Sequence, residues 1–363
     1  MTPNLTAITG IGSVSPYGPL AGLIPPCRLE PEPVTAWTTA GLRRAFVVKP
    51  FRPASIVPGL KTRRLDRLSA WALVASSLAI QDSGIDLSQL DRSRVAVVFG
   101  TGFGCAELTE AFFQSALANG WSGTDPSPFP EGLANAPASH LALWHSLRGP
   151  NITVGSRGFA GETALIQAAS LLRHGQADLA IVLAGDTLTR AIYEWYEAAG
   201  LLSPACYNSQ PLAEGSGFVP SEGVAAVLLE PVGARKARRE VRTYAHFSSG
   251  RWATGGEPVE TIRQMLGESV PSLIICAGNG APCSTSSTAA LARKIGGPSS
   301  AIVPAQAVAA GLPDSSALLH LILALSNPAL SNGALSSRAH GGPALLLGTT
   351  GESGFAALLL ELR

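Results

Sequence analysis

The sequence predicts an α/β protein whose sheets are largely parallel and covered by helices on both faces. Short apolar strands alternate with helical segments along the chain. The strands read as unbroken apolar runs rather than alternating ones, the pattern left by burial on both faces. Hydrophobic residues make up 46% of the 363 residues and charged residues only 14%, which suggests a large buried core and an apolar surface suited to an extensive partner interface.

The chain opens on ITGIGSVSPYG (Ile8–Gly18) and passes into Gly18–Val57, a proline-rich stretch without periodicity that should wrap the surface. After RRLDRLSAWALVASSLAIQDSGI (Arg63–Ile85) comes the strand Ala96–Phe99 in VAVVFGTGFG (Val95–Gly104), then a segment of helical spacing, Ala106–Leu117. Phe112 and Phe113 within it lie about 100° apart on a helix, so one of them should face a second surface, a partner or a ligand tunnel. The loop-rich Asn119–Pro137 leads to the helix before Asn151. Downstream, the strands are Leu179–Ala184, Val224–Glu230, Ser272–Cys276 and Pro343–Gly348. The basic run Arg235–Arg242 follows a strand end and reads as a solvated connector.

Net charge is +1, which gives no case for nucleic acid or an anionic membrane. Five scattered cysteines without CxxC spacing argue against a disulfide framework or a zinc site, and nothing calls for a cofactor or metal. The start, MTPNLTAITG, lacks a signal-peptide layout, and the longest apolar runs, such as Ala317–Leu325, are about half a membrane span. A soluble protein of a reducing cytoplasm is expected.

The stretch richest in chemical meaning is NITVGSRGFAGETAL (Asn151–Leu165). The β-branched run Ile152–Val154 is a strand, small residues form a tight turn, and Glu162–His174 is helical. Such a junction aims one side chain at a helix N-terminus, where the dipole and free amides stabilise a thiolate or oxyanion. The pivot here is Gly158, which has no side chain.

Taken in order, the Ile8–Gly18, Arg63–Ile85, Val95–Gly104, Asn151–Leu165 and Gly175–Asp186 blocks, LLSP (Leu201–Pro204) and Glu214–Pro231 resemble the β-ketoacyl synthases of the thiolase fold. The resemblance implies a duplicated βαβαβαββ unit in a five-layered αβαβα core, with an N-terminal half 1–231 and a shorter C-terminal half 232–363 of one compact unit. It also implies where catalysis should sit. The family's nucleophilic cysteine falls on Gly158. Its first histidine falls on Gly278 in SLIICAGNGAP, and its second on Ala305, or Gln306 one position on, in AIVPAQAVAAG. The gate loop becomes TTGESGF (Thr349–Phe355).

Ketosynthase-like proteins that keep the fold and lose the nucleophile resemble chain length factors, the non-catalytic partners of the condensing subunit in type II polyketide synthases. This implies a ketosynthase subunit as heterodimer partner and an acyl carrier protein as transient partner. Pairing would run through Asn151–Gly155, including Asn151, Thr153 and Gly155. Leu108, Phe112 or Phe113 would reach the partner's acyl tunnel. Glycine in the nucleophile seat and the short C-terminal half look more like the compact factor of aryl polyene clusters. Two other readings stand beside it: a diverged synthase or acyltransferase working alone through Ser156 or Cys283, and a homodimeric acyl-binding module. Ser156 lacks the first glycine of a hydrolase elbow, which is Val154 here. None of the six histidines lies in a loop matched to a triad, although His340 sits in a polar loop. Gly100-Thr-Gly-Phe-Gly104 is one position off a dinucleotide fingerprint.

Overall fold

The computed structural model describes residues 5–22, 24, 29, 31–34, 43–156, 158–207, 217–233, 242–277, 282–303, 316–326, 343–350 and 354–362. A first run of elements comprises β1 (Thr6–Ser15), the short strands β2 (Gly18–Ala21), β3 (Glu32–Pro33) and β4 (Arg44–Ala45), α1 (Arg67–Ser83), β5 (Val95–Thr101), α2 (Ala106–Asn119), α3 (Ala136–Trp144), β6 (Asn151–Gly155), α4 (Ala160–Arg173), β7 (Leu179–Asp186), α5 (Arg190–Ala198) and β8 (Gly223–Pro231). A second comprises β9 (Ala245–Thr254), α6 (Pro258–Leu266), β10 (Leu273–Cys276), α7 (Pro282–Ile295), β11 (Ala301–Val303), α8 (Ser316–Ser326), β12 (Ala344–Thr350) and β13 (Gly354–Leu362).

Strand pairing shows the same pattern twice. The order is β6-β5-β7-β8-β1 in the first run and β11-β10-β12-β13-β9 in the second. In both, the third, second and fourth main strands are parallel and the fifth runs antiparallel between the fourth and the first. β1 and β9 join the two through Thr6–Phe247, Ala7–His246 and Ile8–Ala245.

Alternate residues of each strand serve different cores, which explains why the strands read as continuous apolar runs. Leu179, Ile181 and Leu183 of β7 pack outward with α1 and α3, while Ala180, Val182 and Ala184 face a central core. That core contains Ala164, Leu165 and Ala168 of α4, Leu318 and Ile322 of α8, and Ile275 and Leu346 from the second set of strands. Ile274, Leu345 and Leu347 pack outward with Ile262 of α6 and Leu291 of α7. The layers therefore run helix, sheet, helix, sheet, helix.

Local chemistry fixes the element ends. Asp66 caps α1 by accepting from the Leu68 amide at 2.8 Å, and Gly84 closes it in the left-handed region at φ +64°. Gly10 and Gly12 of β1 let α1 lie directly on the strand. A Cβ on them would come within 2.3 Å of the Ala79 carbonyl oxygen and 2.2 Å of that of Ala75. Gly18–Val57 is not wholly a surface wrap: the Phe46 amide donates to Pro220, and Ala45 and Val48 are buried.

Candidate functional site

A strand, a turn and a helix stand where the sequence places them, and the turn residue Gly158 carries no side chain. β6 ends at Gly155, the Ser156 amide donates to the Thr101 carbonyl at 3.2 Å, and Gly158 turns the chain at φ +94°. A side chain in that region of backbone space is strained, so glycine relaxes a turn that would cost another residue about 1–3 kcal/mol. Buried Phe159 begins α4 with no side-chain cap hydrogen bond. α4 approaches so closely that a Cβ on Gly100 of β5 would lie 2.2 Å from the Ala160 carbonyl oxygen.

Elements from the second run converge on this elbow. Parallel pairing sets β10 beside β11 (Ile275–Val303) and β12 (Cys276–Leu347). Their carboxyl ends thus point the same way, the end at which open parallel sheets build their sites. A Cβ on Gly348 would stand 2.8 Å from Glu162 Oε1, 3.2 Å from the Ala277 carbonyl oxygen and 3.7 Å from the Phe159 ring. The start of α4 therefore touches the ends of β10 and β12. Gly278, Ala305 and Gln306 lie outside the described residues, as does His340.

Glu162 is the residue that the sequence reading passed over. It lies on the first turn of α4, is 1% exposed, and its Oε1 has no hydrogen-bond partner among the described residues. Burial pushes its carboxyl up to about 8, against the pull of a hydrogen bond from its own amide. The signal was available, one acid among small and apolar residues at a helix start, but it was not singled out.

Other candidates resolve by geometry. Asp186 fills the Gly100–Gly104 loop, accepting from the Thr101 hydroxyl at 2.6 Å and the Gly102 and Phe103 amides at 3.0 and 2.9 Å. The amides that would cradle a phosphate in a dinucleotide site are therefore engaged by the protein itself. Burial pushes the Cys276 thiol up to about 12 and that of Cys206 to about 11, and raises that of Cys105 further, with Asp66 adding to the shift. These three are structural thiols. The Cys283 side chain lies outside the described residues, and Ser156 has no histidine or acid hydrogen-bonded to it among them. The described residues contain no cluster of three or more His, Cys, Asp or Glu able to hold a metal, and no helix among them is long and apolar enough to cross a membrane.

The second group of expected site residues lies on β6 and on α2. β6 is the end strand of the sheet, with Asn151 and Gly155 exposed and Thr153 Oγ1 buried without a hydrogen-bond partner among the described residues. On α2 only Ala116 is buried. The Leu108 amide donates to Asp66 at 3.2 Å, anchoring α2 to the cap of α1. Of the two adjacent phenylalanines, Phe112 is half-buried and Phe113 exposed. Their rings meet edge-on at 5.8 Å, and both contact Trp121, with Phe129 beside Phe112. Phe113, Trp121 and Phe129 are all more than half exposed, and Leu117 is 88% exposed.

With this geometry in place, the comparisons with known proteins agree on a class. The profile of the β-ketoacyl synthase N-terminal domain matches residues 30–234, and the chain belongs to the β-ketoacyl synthase family. A 3-oxoacyl-[acyl-carrier-protein] synthase 2 of Vibrio cholerae is 26% identical over 253 residues, covering 66% of this chain and 60% of that protein. Nodulation protein E of Rhizobium leguminosarum bv. trifolii is 28% identical over 180 residues, covering 49% and 44%. The chain thus spans about 60% of the length of the first curated relatives it matches.

Among solved structures, the ishigamide ketosynthase/chain length factor superposes with a TM-score of 0.74 at 21% identity, covering 99% of both chains. A β-ketoacyl synthase from Burkholderia phymatum gives 0.77 at 16%, covering 99% of this chain and 100% of its own. A type II polyketide synthase acyl-carrier protein in complex with its ketosynthase gives 0.74 at 16%, with coverage of 99% and 100%. The mixed α/β architecture with its large central sheet is the thiolase-like fold of these ketosynthases.

Proposed function

We propose that this chain is a non-catalytic chain length factor. It pairs with an active ketosynthase, stabilises it and closes its acyl tunnel, so setting the length of a polyketide or polyene chain. The observation that carries the reading is Gly158, at φ +94° in the elbow of a ketosynthase fold. A condensing enzyme needs a thiolate there to take the acyl chain, and removing one member of a catalytic set leaves little activity. Gly278 and Ala305, matched in sequence to the two histidines, support the same conclusion. The two passes of the fold are taken as halves 1–231 and 232–363 of one unit. Asn151, Thr153 and Gly155 supply the pairing edge, Leu108, Phe112 and Phe113 the tunnel cap, and an acyl carrier protein visits the complex. Glycine at the nucleophile position favours an aryl polyene factor.

The named curated relatives are synthases, which keeps a diverged stand-alone synthase as the second reading. Intact mass spectrometry after incubation with acyl-loaded carrier protein separates the two. The chain length factor should acquire no adduct, and a stoichiometric acyl group on Ser156 or any cysteine would overturn the assignment. Co-expression with its ketosynthase should yield a one-to-one heterodimer by size exclusion.

A further inference from the structure

Little of α2 is sunk into the body of the protein. Ala116 is its one buried residue, and the helix packs chiefly on two turns of its own loop, Trp121–Gly123 and Phe129–Gly132. The Thr109 hydroxyl reinforces that packing by donating to the Gly132 carbonyl at 3.1 Å. Among the described residues, the polar ties of α2 to the rest of the fold gather at its first turn. The Leu108 amide, one of the donors that a helix start leaves without an intrahelical partner, donates to Asp66 Oδ2 at 3.2 Å. Asp66 Oδ1 accepts from the Leu68 amide at 2.8 Å. A single carboxylate, only 1% exposed, thus holds the starts of two helices, one oxygen to each. Next to it, Arg67 Nη2 stands 2.9 Å from Glu107 Oε1 and 3.0 Å from Glu222 Oε2. Glu222, beside the first residue of β8, also accepts from the Val48 and Leu188 amides, each at 3.1 Å.

We propose that Asp66 is a positioning residue for chain length: by fixing the first turn of α2 against α1, it sets how far the Phe112–Phe113 end of the helix reaches. The inference rests on the reading of α2 as the cap of a partner's tunnel. Phe112 follows Leu108 by four residues, about one turn or ~6 Å along the helix, and a displacement of the first turn carries over that distance to the rings. With so little of α2 buried, the core does not hold its register. Hydrogen bonds to an ionised acceptor are stronger than neutral ones, so an enclosed carboxylate suits the task. Arg67 and Glu107 support the same turn, but Arg67 is a poor lever for a test, because removing it leaves Glu222 buried without its counter-charge.

Asp66→Asn separates the two ties. Asparagine caps a helix as well as aspartate does, so it keeps an oxygen for the Leu68 amide while turning an N–H toward the Leu108 amide. Asp66→Ser likewise keeps a cap for α1 and lacks the second acceptor. Each variant is made in the full chain and co-expressed with the ketosynthase. Hydrogen exchange at the Leu108 amide should quicken at least tenfold, with that at Leu68 unchanged. Heterodimer yield should stay within twofold of wild type, while products other than the main chain length rise at least threefold by mass spectrometry. Unaltered exchange at Leu108, or loss of heterodimer in both variants, would overturn the proposal. So would faster exchange with an unchanged product distribution. In that case, altered length in Phe112→Ala or Phe113→Ala would leave the cap standing, whereas unchanged length there would remove the cap as well. If one Asp66 variant does not fold, the other decides.

Discussion

The two passes of the fold share strand order and strand sense yet carry different work. In the first, the connection from Thr101 of β5 to Asn151 of β6 holds α2, α3 and an exposed aromatic cluster. In the second, the equivalent connection from Cys276 to Ala301 holds α7 alone among its described elements. The first pass thus builds a surface, while the second contributes the ends of β10 and β12 to the junction where Glu162 lies. One topology used twice can carry different loops in each pass, because the sheet positions the loops and leaves their content free.

The largest expected effect tests whether the passes are energetically one unit. Leu183 of β7 and Leu347 of β12 are both fully buried in the fourth main strand of their pass, each on its outward face. Leu→Ala at either site should cost about 2–5 kcal/mol. Through the joined sheet and shared central helices, each should shift a single denaturant transition. Two separate transitions, with each variant moving only its own, would break the comparison into independent domains.

Next in size is the pH dependence of the junction. Glu162 has a folded-state pKa of about 8 against an ordinary 4.5. Because the folded pKa is raised, the unfolded state releases its proton first. Stability should therefore be greatest below the unfolded value, fall as pH rises from about 4.5 to 8, and then level off. A few kcal/mol are at stake across that window. Urea midpoints taken from pH 5 to 9 should show the decline in the wild-type chain and a shallower one in Glu162→Gln. Equal slopes would mean that the carboxyl finds compensation on ionising.

A smaller effect is expected at the elbow. Gly158→Ala places a side chain at φ +94° and should lower stability by about 1–2 kcal/mol. A neutral result would indicate that the turn relaxes to a conformation common to all residues, and that glycine is not required there.

How far the sequence carried this picture depended on which signal each element left. The continuous apolar runs of β5, β7, β8, β10 and β12 are visible because both faces of each strand meet a hydrophobic core. β1, fully buried over ten residues, shows no such run. Gly10 and Gly12 replace apolar side chains where α1 presses on the backbone, so close packing erased the pattern that announces packing. β9 is masked similarly, with half-buried and exposed residues after Gly250. At the site, the turn at Gly158 was legible because a β-branched run and an amphipathic segment framed it. Glu162 was not, since an acid in a first helical turn is normally solvated, whereas here Gly348 of β12 packs against its buried carboxyl. The contact between the Phe112 and Phe113 rings was not legible either: helical angles fix Cβ directions, not where long rings end.

The smallest expected effect on stability is the most informative about function. Phe113 is 51% exposed, and Phe112 is half-buried among Phe113, Trp121 and Phe129 rather than in a core. Truncating a ring that packs mainly on other surface rings forfeits little of the 3–5 kcal/mol a core phenylalanine is worth, and Phe113→Ala should leave the melting midpoint within about 0.5 kcal/mol of wild type. If the cluster caps a partner's tunnel, the same change opens room for several methylene units, and the reconstituted synthase should release longer chains from an intact heterodimer. If the cluster only seats the partner, product length stays fixed and heterodimer yield falls, since aromatic anchors carry much of an interface's energy. Leu108→Ala and Phe112→Ala complete the set. Leu108 is tied through its amide to Asp66, so its side chain can be shortened without loosening the start of α2. Unchanged length and unchanged yield in all three variants would remove α2 from the proposed partner interface.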